Sequence, residues 1–357
     1  MAIPVLRPSM TEREVSAVAE VMRSGWLGNG LKCLEFEKRL ADRYAYRNCV
    51  TVNSGTAALH LACLTSGIGP GDEVIVPALT FISTALAVSY CGARPVFADI
   101  YPDTLCIDWG DVRRKTNGRT KAVIPVDYAG YCACMNEDRS WPVPLIQDAA
   151  HFSGGFGYGD EVCFSFHAVK NLAMGDGGAI LPNDYAKAER MRALRWCGID
   201  RSTWQRSGKR YGWDYDIKEV GYKCHLSDIM AAIGLVQLDR LDEMNERRCE
   251  IAYRYSKEFA GIGDIQLPAN HVAHTHHLYV IRVDADKRDT LIDHLAENGI
   301  SAGVHYRPIT TYSIYADQPT PPVTEREWHR LVSLPIFPDL TEEDQGRVIE
   351  AVRGFFR

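Results

Sequence analysis

Seven short apolar runs lie between helical segments in the first 185 residues, and this alternation limits the fold more than any other feature. The runs are NCVTV (48–52), EVIVPA (73–78), RPVFADI (94–100), KAVIPVD (121–127), VPLIQD (143–148), EVCFSF (161–166) and GAILP (178–182). Each is rich in Val, Ile or Phe and is bounded by Gly, Pro or Asp. A strand of that composition has no face suited to water, so it belongs between two covering layers. GTAALHLACLTSG (55–67) and TFISTALAVSYCG (80–92) fall between the runs and have helical composition. Alternation of this kind predicts an α/β sandwich around a mostly parallel, seven-stranded sheet.

The pattern changes after about residue 185. DYAKAERMRALRWCG (184–198) reads as a helix. Residues 201–224 are polar and aromatic without a period and read as a long loop. Its Trp204, Tyr211, Trp213 and Tyr215 either line a cleft or pack the loop on itself. Residues 225–261 read as one or two long amphipathic helices with Ser227 or Asp228 at the N-cap. A strand (277–284), a helix (287–299), a second strand (301–306) and a terminal helix (341–356) complete a small α+β unit. A chain of 357 residues exceeds one compact core. The expected division is a large α/β domain at 1–240 and a small C-terminal domain at 241–357.

Several function classes drop out. The net charge is −6 with no long basic run, which disfavours nucleic acid as a partner. No apolar run is long enough to cross a membrane. The N-terminus lacks a signal-peptide layout, and the eleven cysteines are irregularly spaced, with Cys132 and Cys134 forming only a C-x-C pair. Reduced thiols in a cytoplasmic protein are expected.

Neither G-x-G-x-x-G nor G-x-x-x-x-G-K-[ST] is present, so the dinucleotide fold and the P-loop are disfavoured. An anion can still be held where NSGTAAL (53–59) starts a helix, through free N–H groups at Gly55, Thr56 and Ala57. An ordinary Ser/Thr cap gives the same pattern. Asp148 closes the run 143–148, at the edge where α/β proteins bind ligands; it also suits a helix cap. Lys170 follows the next run. A carboxylate and an amine in one cleft, with an anion site and an aromatic face, are what pyridoxal 5′-phosphate (PLP) needs. Its aldehyde takes a lysine, its pyridine nitrogen a carboxylate, and its phosphate backbone donors. Phe81 is placed to cover its ring.

The chain resembles the DegT/DnrJ/EryC1/StrS family of PLP-dependent sugar aminotransferases. The likeness runs through SGWLGNGLKCLEFE (24–37), NSGTAALHLA, GDEVIVPALTFISTALAV, QDAAH, FSFHAVKNLAMGDGGAI, GYKCHLSDIMAAIGLVQL, HLYVIRV, GVHYRP and LPIFPDLTEED. It implies fold type I, a homodimer with active sites at the interface, and PLP cycling through pyridoxamine 5′-phosphate. It makes Lys170 the Schiff-base lysine and proton carrier, and Asp148 the pyridinium partner. Phe81 becomes the stacking residue, and Ser165 a phosphate ligand beside Gly55, Thr56 and Ala57. His151 falls near the cofactor's phenolic oxygen, where relatives have Gln or His. Lys223 and His225 fall in the segment that reaches the other subunit's phosphate. Asp127 replaces a His of many relatives and receives no role.

The implied reaction moves an amino group from L-glutamate to a nucleotide-linked keto-sugar, a 4-keto-6-deoxyhexose being favoured by the wording GYKCHLSDI. A 3-keto-sugar or keto-cyclitol acceptor is the alternative, as is a non-catalytic regulatory protein that binds PLP or a sugar nucleotide. Trp26, His167, His305, Tyr306 and Arg307 are candidate substrate contacts, Arg307 because a guanidinium suits a diphosphate. His274, His276 and His277 lack a firm ligand geometry, and no metal is expected.

Overall fold

All seven runs form strands at or within a few residues of the expected bounds. They are β1 Val50–Val52, β2 Glu73–Pro77, β3 Arg94–Ala98, β4 Thr120–Val123, β5 Ile146–Asp148, β6 Glu161–Ser165 and β7 Gly178–Pro182. The computed structural model describes residues 2–134, 141–199 and 213–357. The ladders run β3-β2-β4 and β5-β6-β7-β1. The expected single sheet is interrupted between β4 and β5, where only isolated parallel bridges, Val123 to Leu145 and Val126 to Asp148, join the two sets. β2, β3 and β4 pair in parallel, as do β5 and β6, while β7 runs against both β6 and β1.

Helices cover both faces. They are α1 Glu12–Ser24, α2 Leu31–Tyr44, α3 Gly55–Thr65, α4 Ser83–Tyr90, α5 Trp109–Lys115 and α6 Tyr185–Leu194. One core lies between the strands and α2, α5 and the start of the next long helix, around Phe36, Trp109, Phe164 and Leu235. The other packs α3, α4 and α6 on the opposite face, around Leu61, Val88, Ile180 and Met191. Burial on both faces is why these strands read as unbroken apolar runs.

The segment 225–261 is one helix, α7 Asp228–Phe259, with Ser227 as its N-cap. Its first half, through Leu235 and Leu241, belongs to the first core. Its second half, through Ile251 and Phe259, belongs to a third core with Tyr279, Leu295 and Val348. At about 1.5 Å per residue it spans about 48 Å. The Asp228 carboxylate also accepts from the N–H groups of Gly30 (2.8 Å) and Cys33 (3.0 Å), so it caps α2, whose N-cap Gly30 has no side chain to do so.

The C-terminal part contains β8 Tyr279–Arg282, α8 Ala285–Glu297, α9 Pro322–Trp328, β9 Leu331–Leu334 and α10 Glu342–Phe355. One expectation fails here. Residues 301–306 are not a strand; β8 pairs antiparallel with β9 instead. Gly303 only bridges to Ser333, with N–H to O distances of 3.2 and 2.7 Å in the two directions. The chain then leaves the sheet, and this departure carries His305 and Tyr306 to a cavity.

Candidate active site

The strand directions bring one set of ends together. Val52 and Ser165 both lie opposite Gly178, and Asp148 lies opposite Cys163. The carboxyl ends of β1, β5 and β6 therefore share an edge, as ligand-binding ends do in α/β proteins. A cavity of about 400 Å³ opens there, lined by Gly55, Thr56, Phe81, Asp148, His151, Ser165, His167, Lys170, His305 and Tyr306. Most of the expected site residues thus meet in one place.

Lys170 is placed by the loop between β6 and β7. Its N–H donates to the His167 carbonyl (2.9 Å), and the loop closes through Phe166 N–H to Gly177 O (2.8 Å) and Ala168 N–H to Gly175 O (3.0 Å). Gly175 (φ 91°) and Gly177 (φ 153°) make the return to β7 in backbone conformations that favour glycine. Burial pushes the Lys170 amine down to about 8, against the opposing pull of Asp148. About a tenth of it is therefore a neutral nucleophile at pH 7 and about a half at pH 8.

Asp148 sits at the cavity base and is 4% exposed. It accepts from Thr84 Oγ1 (2.9 Å) and the Ala150 N–H (3.1 Å). Burial pushes its carboxyl upward in spite of these donors. Two donors leave lone pairs free on a carboxylate, and burying it as an anion demands a cationic partner. A protonated pyridine nitrogen meets that demand.

The anion site is equally specific. The N–H groups of Gly55 and Thr56 open α3 and have no partner inside the helix. A Cβ on Gly55 would come within 2.8 Å of Ser165 Cβ, so only glycine permits this approach of α3 to the end of β6. Ala57 corrects one expectation: its N–H donates to Ser54 Oγ (3.1 Å), the N-cap, and it is absent from the cavity wall. Phe81 is 55% exposed and free to cover a ring, with the Tyr306 ring 5.9 Å away. The site residues fit PLP.

His151 is buried. Its Nε2 lies 2.9 Å from Tyr306 Oη, and its Nδ1 accepts from the Ala129 N–H (3.3 Å). Burial and the positive charge of Lys170 hold its imidazole well below the usual range. His277 is 4.4 Å behind it, ring to ring, and bonds Asn171 through Nδ1. The rings of His274 and His276 stack at 3.9 Å, and the His276 N–H donates to His274 Nδ1 (3.0 Å).

Other expected residues lie elsewhere. Arg307 is bound by its own loop, Nε to Thr311 Oγ1 (2.7 Å), and does not line the cavity, because that loop turns the guanidinium outward. Trp26, Lys223 and His225 line a different cavity of about 760 Å³, with Arg192, Arg195 and Trp196. Lys223 Nζ lies 3.3 Å from the centre of the Trp196 ring. Trp213 and Tyr215 are exposed and do not line the Lys170 cavity, while Trp204 and Tyr211 lie outside the described residues.

Sequence reasoning missed Thr84, whose hydroxyl holds Asp148, and Ser83, which bonds Thr56 across 2.7 Å. Both follow Phe81 in TFIST, so the aromatic was the available signal. Asp127 proves to be structural. Buried beneath β5, it accepts from Ala133 N–H (2.8 Å), Gln147 Nε2 (2.7 Å) and Tyr158 Oη (2.8 Å).

Comparison with known proteins identifies the family. The family model for DegT/DnrJ/EryC1/StrS aminotransferases matches residues 8–353. The aminotransferase TlmJ of Streptoalloteichus hindustanus is similar in structure, with a TM-score of 0.92 at 33% identity, over 99% of this chain and 99% of that one. The pyridoxamine phosphate form of Spr1654 from Streptococcus pneumoniae gives 0.91 at 31%, over 99% and 98% of the chains, and a pyridoxal phosphate form of the same protein also matches. Helicobacter pylori PseC, an aminotransferase involved in the biosynthesis of pseudoaminic acid, gives 0.90 at 26%, over 100% and 99%. With fold type I, the lysine–carboxylate cavity and a family match over nearly its whole length, the chain belongs to the DegT/DnrJ/EryC1/StrS family and is a pyridoxal 5′-phosphate-dependent aminotransferase.

Proposed function

We propose that this enzyme is a sugar aminotransferase that carries the amino group of L-glutamate to a nucleotide-linked keto-sugar, a 4-keto-6-deoxyhexose in particular. The observation that carries the reading is the Lys170 amine and the Asp148 carboxylate facing one cavity at the start of α3.

When bound, PLP supplies an aldehyde that takes up amino groups and a ring that draws electrons from the reacting carbon. The chain supplies the rest. Lys170 Nζ would hold the aldehyde, and as a free amine it would carry the proton at the substrate carbon. Its lowered affinity for protons suits that exchange near neutral pH. Asp148, held by Thr84, would keep a positive charge on the cofactor's ring nitrogen. Ser165 and the N–H groups of Gly55 and Thr56 would hold the phosphate, and Phe81 would cover the ring. His167 and His305, at the cavity wall, contact the sugar.

We read Lys223, His225 and Trp26 as a face offered to the second subunit of a homodimer. Exposed Leu27, Leu31 and Leu34 beside that cavity support an apolar interface. We read the chain as two units, 1–240 and 241–357, in keeping with the separate third core, and as cytoplasmic, in keeping with the free thiols of the described cysteines. No helix among the described residues is long and apolar enough to cross a membrane.

The test is to load the enzyme with pyridoxamine 5′-phosphate and add nucleotide-linked keto-sugars one at a time. Return of the visible absorbance of the pyridoxal form marks the acceptor. Turnover with 3-keto-sugars alone overturns the C4 assignment, and no turnover with any sugar nucleotide overturns the substrate class.

A further inference from the structure

We infer that Thr80 and Thr84 form a one-way hydroxyl relay onto Asp148, and that Thr80, acting through Thr84, keeps the shared proton on the cofactor's ring nitrogen rather than on the carboxylate. Thr80 is thus a positioning residue for the reaction. This rests on the Lys170 cavity being the PLP site, and not on which acceptor it takes.

The direction follows from proton counting. Each threonine hydroxyl has one proton, and an ionised carboxylate can only accept. Thr84 Oγ1 therefore gives its proton to Asp148 Oδ2 (2.9 Å). That leaves Thr84 only lone pairs for the Thr80 hydroxyl, 3.1 Å away, so Thr80 is the donor of that pair. The bonds run from Thr80 to Thr84 to Asp148. All three side chains are buried, and in a low-dielectric chain each bond strengthens the next. One turn after β2 supplies the arrangement. Thr84 lies in the first turn of α4, which also brings the positive end of that helix towards the carboxylate. The same turn shows Phe81 to the cavity and joins Ser83 to Thr56 (2.7 Å) at the anion site.

A carboxylate and a ring nitrogen that share one proton divide it by basicity. Burial makes Asp148 more basic and draws the proton to oxygen, while the donors from Thr84 and the Ala150 N–H (3.1 Å) oppose this. The charge of Lys170 opposes it too, but that amine must lose its proton to act as a nucleophile, so its support is not constant. The other titratable groups felt at Asp148 are Asp127 after β4, Cys163 on β6 and Tyr306, and none of them carries a positive charge. The relay and the Ala150 N–H are thus the standing supports. By donating to the Thr84 oxygen, Thr80 makes the Thr84 O–H a stronger donor and Asp148 a weaker base. The proton then stays on nitrogen, where the ring draws electrons best.

Two experiments test it. In the cofactor-free protein with ¹³C-labelled aspartate carboxyls, Asp148 is assigned by its loss in Asp148→Asn. Its titration midpoint should lie about 1 to 2 pH units higher in Thr84→Val than in the wild type, and about 0.2 to 0.5 unit higher in Thr80→Val. Thr80→Ser should match the wild type, and Thr80→Val should add nothing once Thr84 is Val. No shift in Thr80→Val, or the same shift with and without the Thr84 hydroxyl, overturns the relay. Should Thr84→Val not fold, Thr80→Val against Thr80→Ser decides the point alone. In protein loaded with ¹⁵N-labelled PLP, the wild-type ring nitrogen should be protonated near neutral pH. Its signal should move towards the unprotonated position in Thr80→Val and further in Thr84→Val. A ring nitrogen that ignores both variants, or is unprotonated in the wild type, overturns the inference. A wild-type protein that takes up no PLP would instead sink the reading of the cavity itself.

Discussion

Replacing Lys170 by Met should remove a particular pH dependence from the stability of the cofactor-free enzyme. Burial holds the folded amine at about 8, with Asp148 opposing; an unfolded lysine titrates near ~10.4. The folded value is the lower one, so between these two the unfolded state holds the extra proton. Stability therefore rises with pH across that window. Below it, burying the ammonium costs at most about 3 kcal/mol, from ~2.4 pH units at ~1.36 kcal/mol each. At pH 9.5 about 1 kcal/mol of the cost is left. Partial exposure of the amine to the cavity brings both figures down together. Met keeps the aliphatic volume and has no charge to bury. In urea unfolding, Lys170→Met should exceed the wild type by up to about 3 kcal/mol at pH 7.0, and the gap should narrow by about 2 kcal/mol at pH 9.5. A gap that stays constant over that range refutes the reasoning, because it would mean the folded and unfolded amines titrate alike.

The same amine should govern loading. The rate at which the cofactor-free protein captures added PLP should rise about fivefold from pH 7 to pH 8 as the neutral fraction goes from about a tenth to about a half, and a rate that climbs tenfold per unit through pH 9 would contradict this. Gly55→Ala drives a Cβ to 2.8 Å from Ser165 Cβ, so it should weaken PLP binding at least about tenfold by fluorescence titration while circular dichroism is unchanged. Thr84→Val leaves Asp148 short of a charge-assisted donor and should cost about 1.5–3 kcal/mol in urea. Arg195 and Glu37 form a buried ion pair (2.5 Å) that ties α2 to β1. Arg195→Leu should cost about 3–5 kcal/mol, and adding Glu37→Gln should recover part of it, since the larger penalty is the lone buried carboxylate.

What the sequence determined by itself was local. A strand buried on both faces must be apolar at every position, so 73–78 and 161–166 were legible without a partner. Helix starts were legible for the same reason: Ser54, Asp184 and Ser227 cap through atoms a few residues away. The lysine and its carboxylate were legible because both stand at strand ends. The resemblance then gave their order a meaning.

Tertiary structure decided the rest, because it depends on pairings that no local rule carries. Residues 301–306 have strand composition, yet β8 chose Leu331–Leu334 as its partner. The released segment could then bring Tyr306 to His151, 155 residues away in sequence. Ala57 looked like a phosphate donor until its N–H proved to be engaged by the N-cap. Arg307 looked like a diphosphate ligand until its loop took up the guanidinium. In each case the residue type was right for the chemistry. Which partner claimed its single proton or its charge was settled only by what the folded chain placed within about 3 Å.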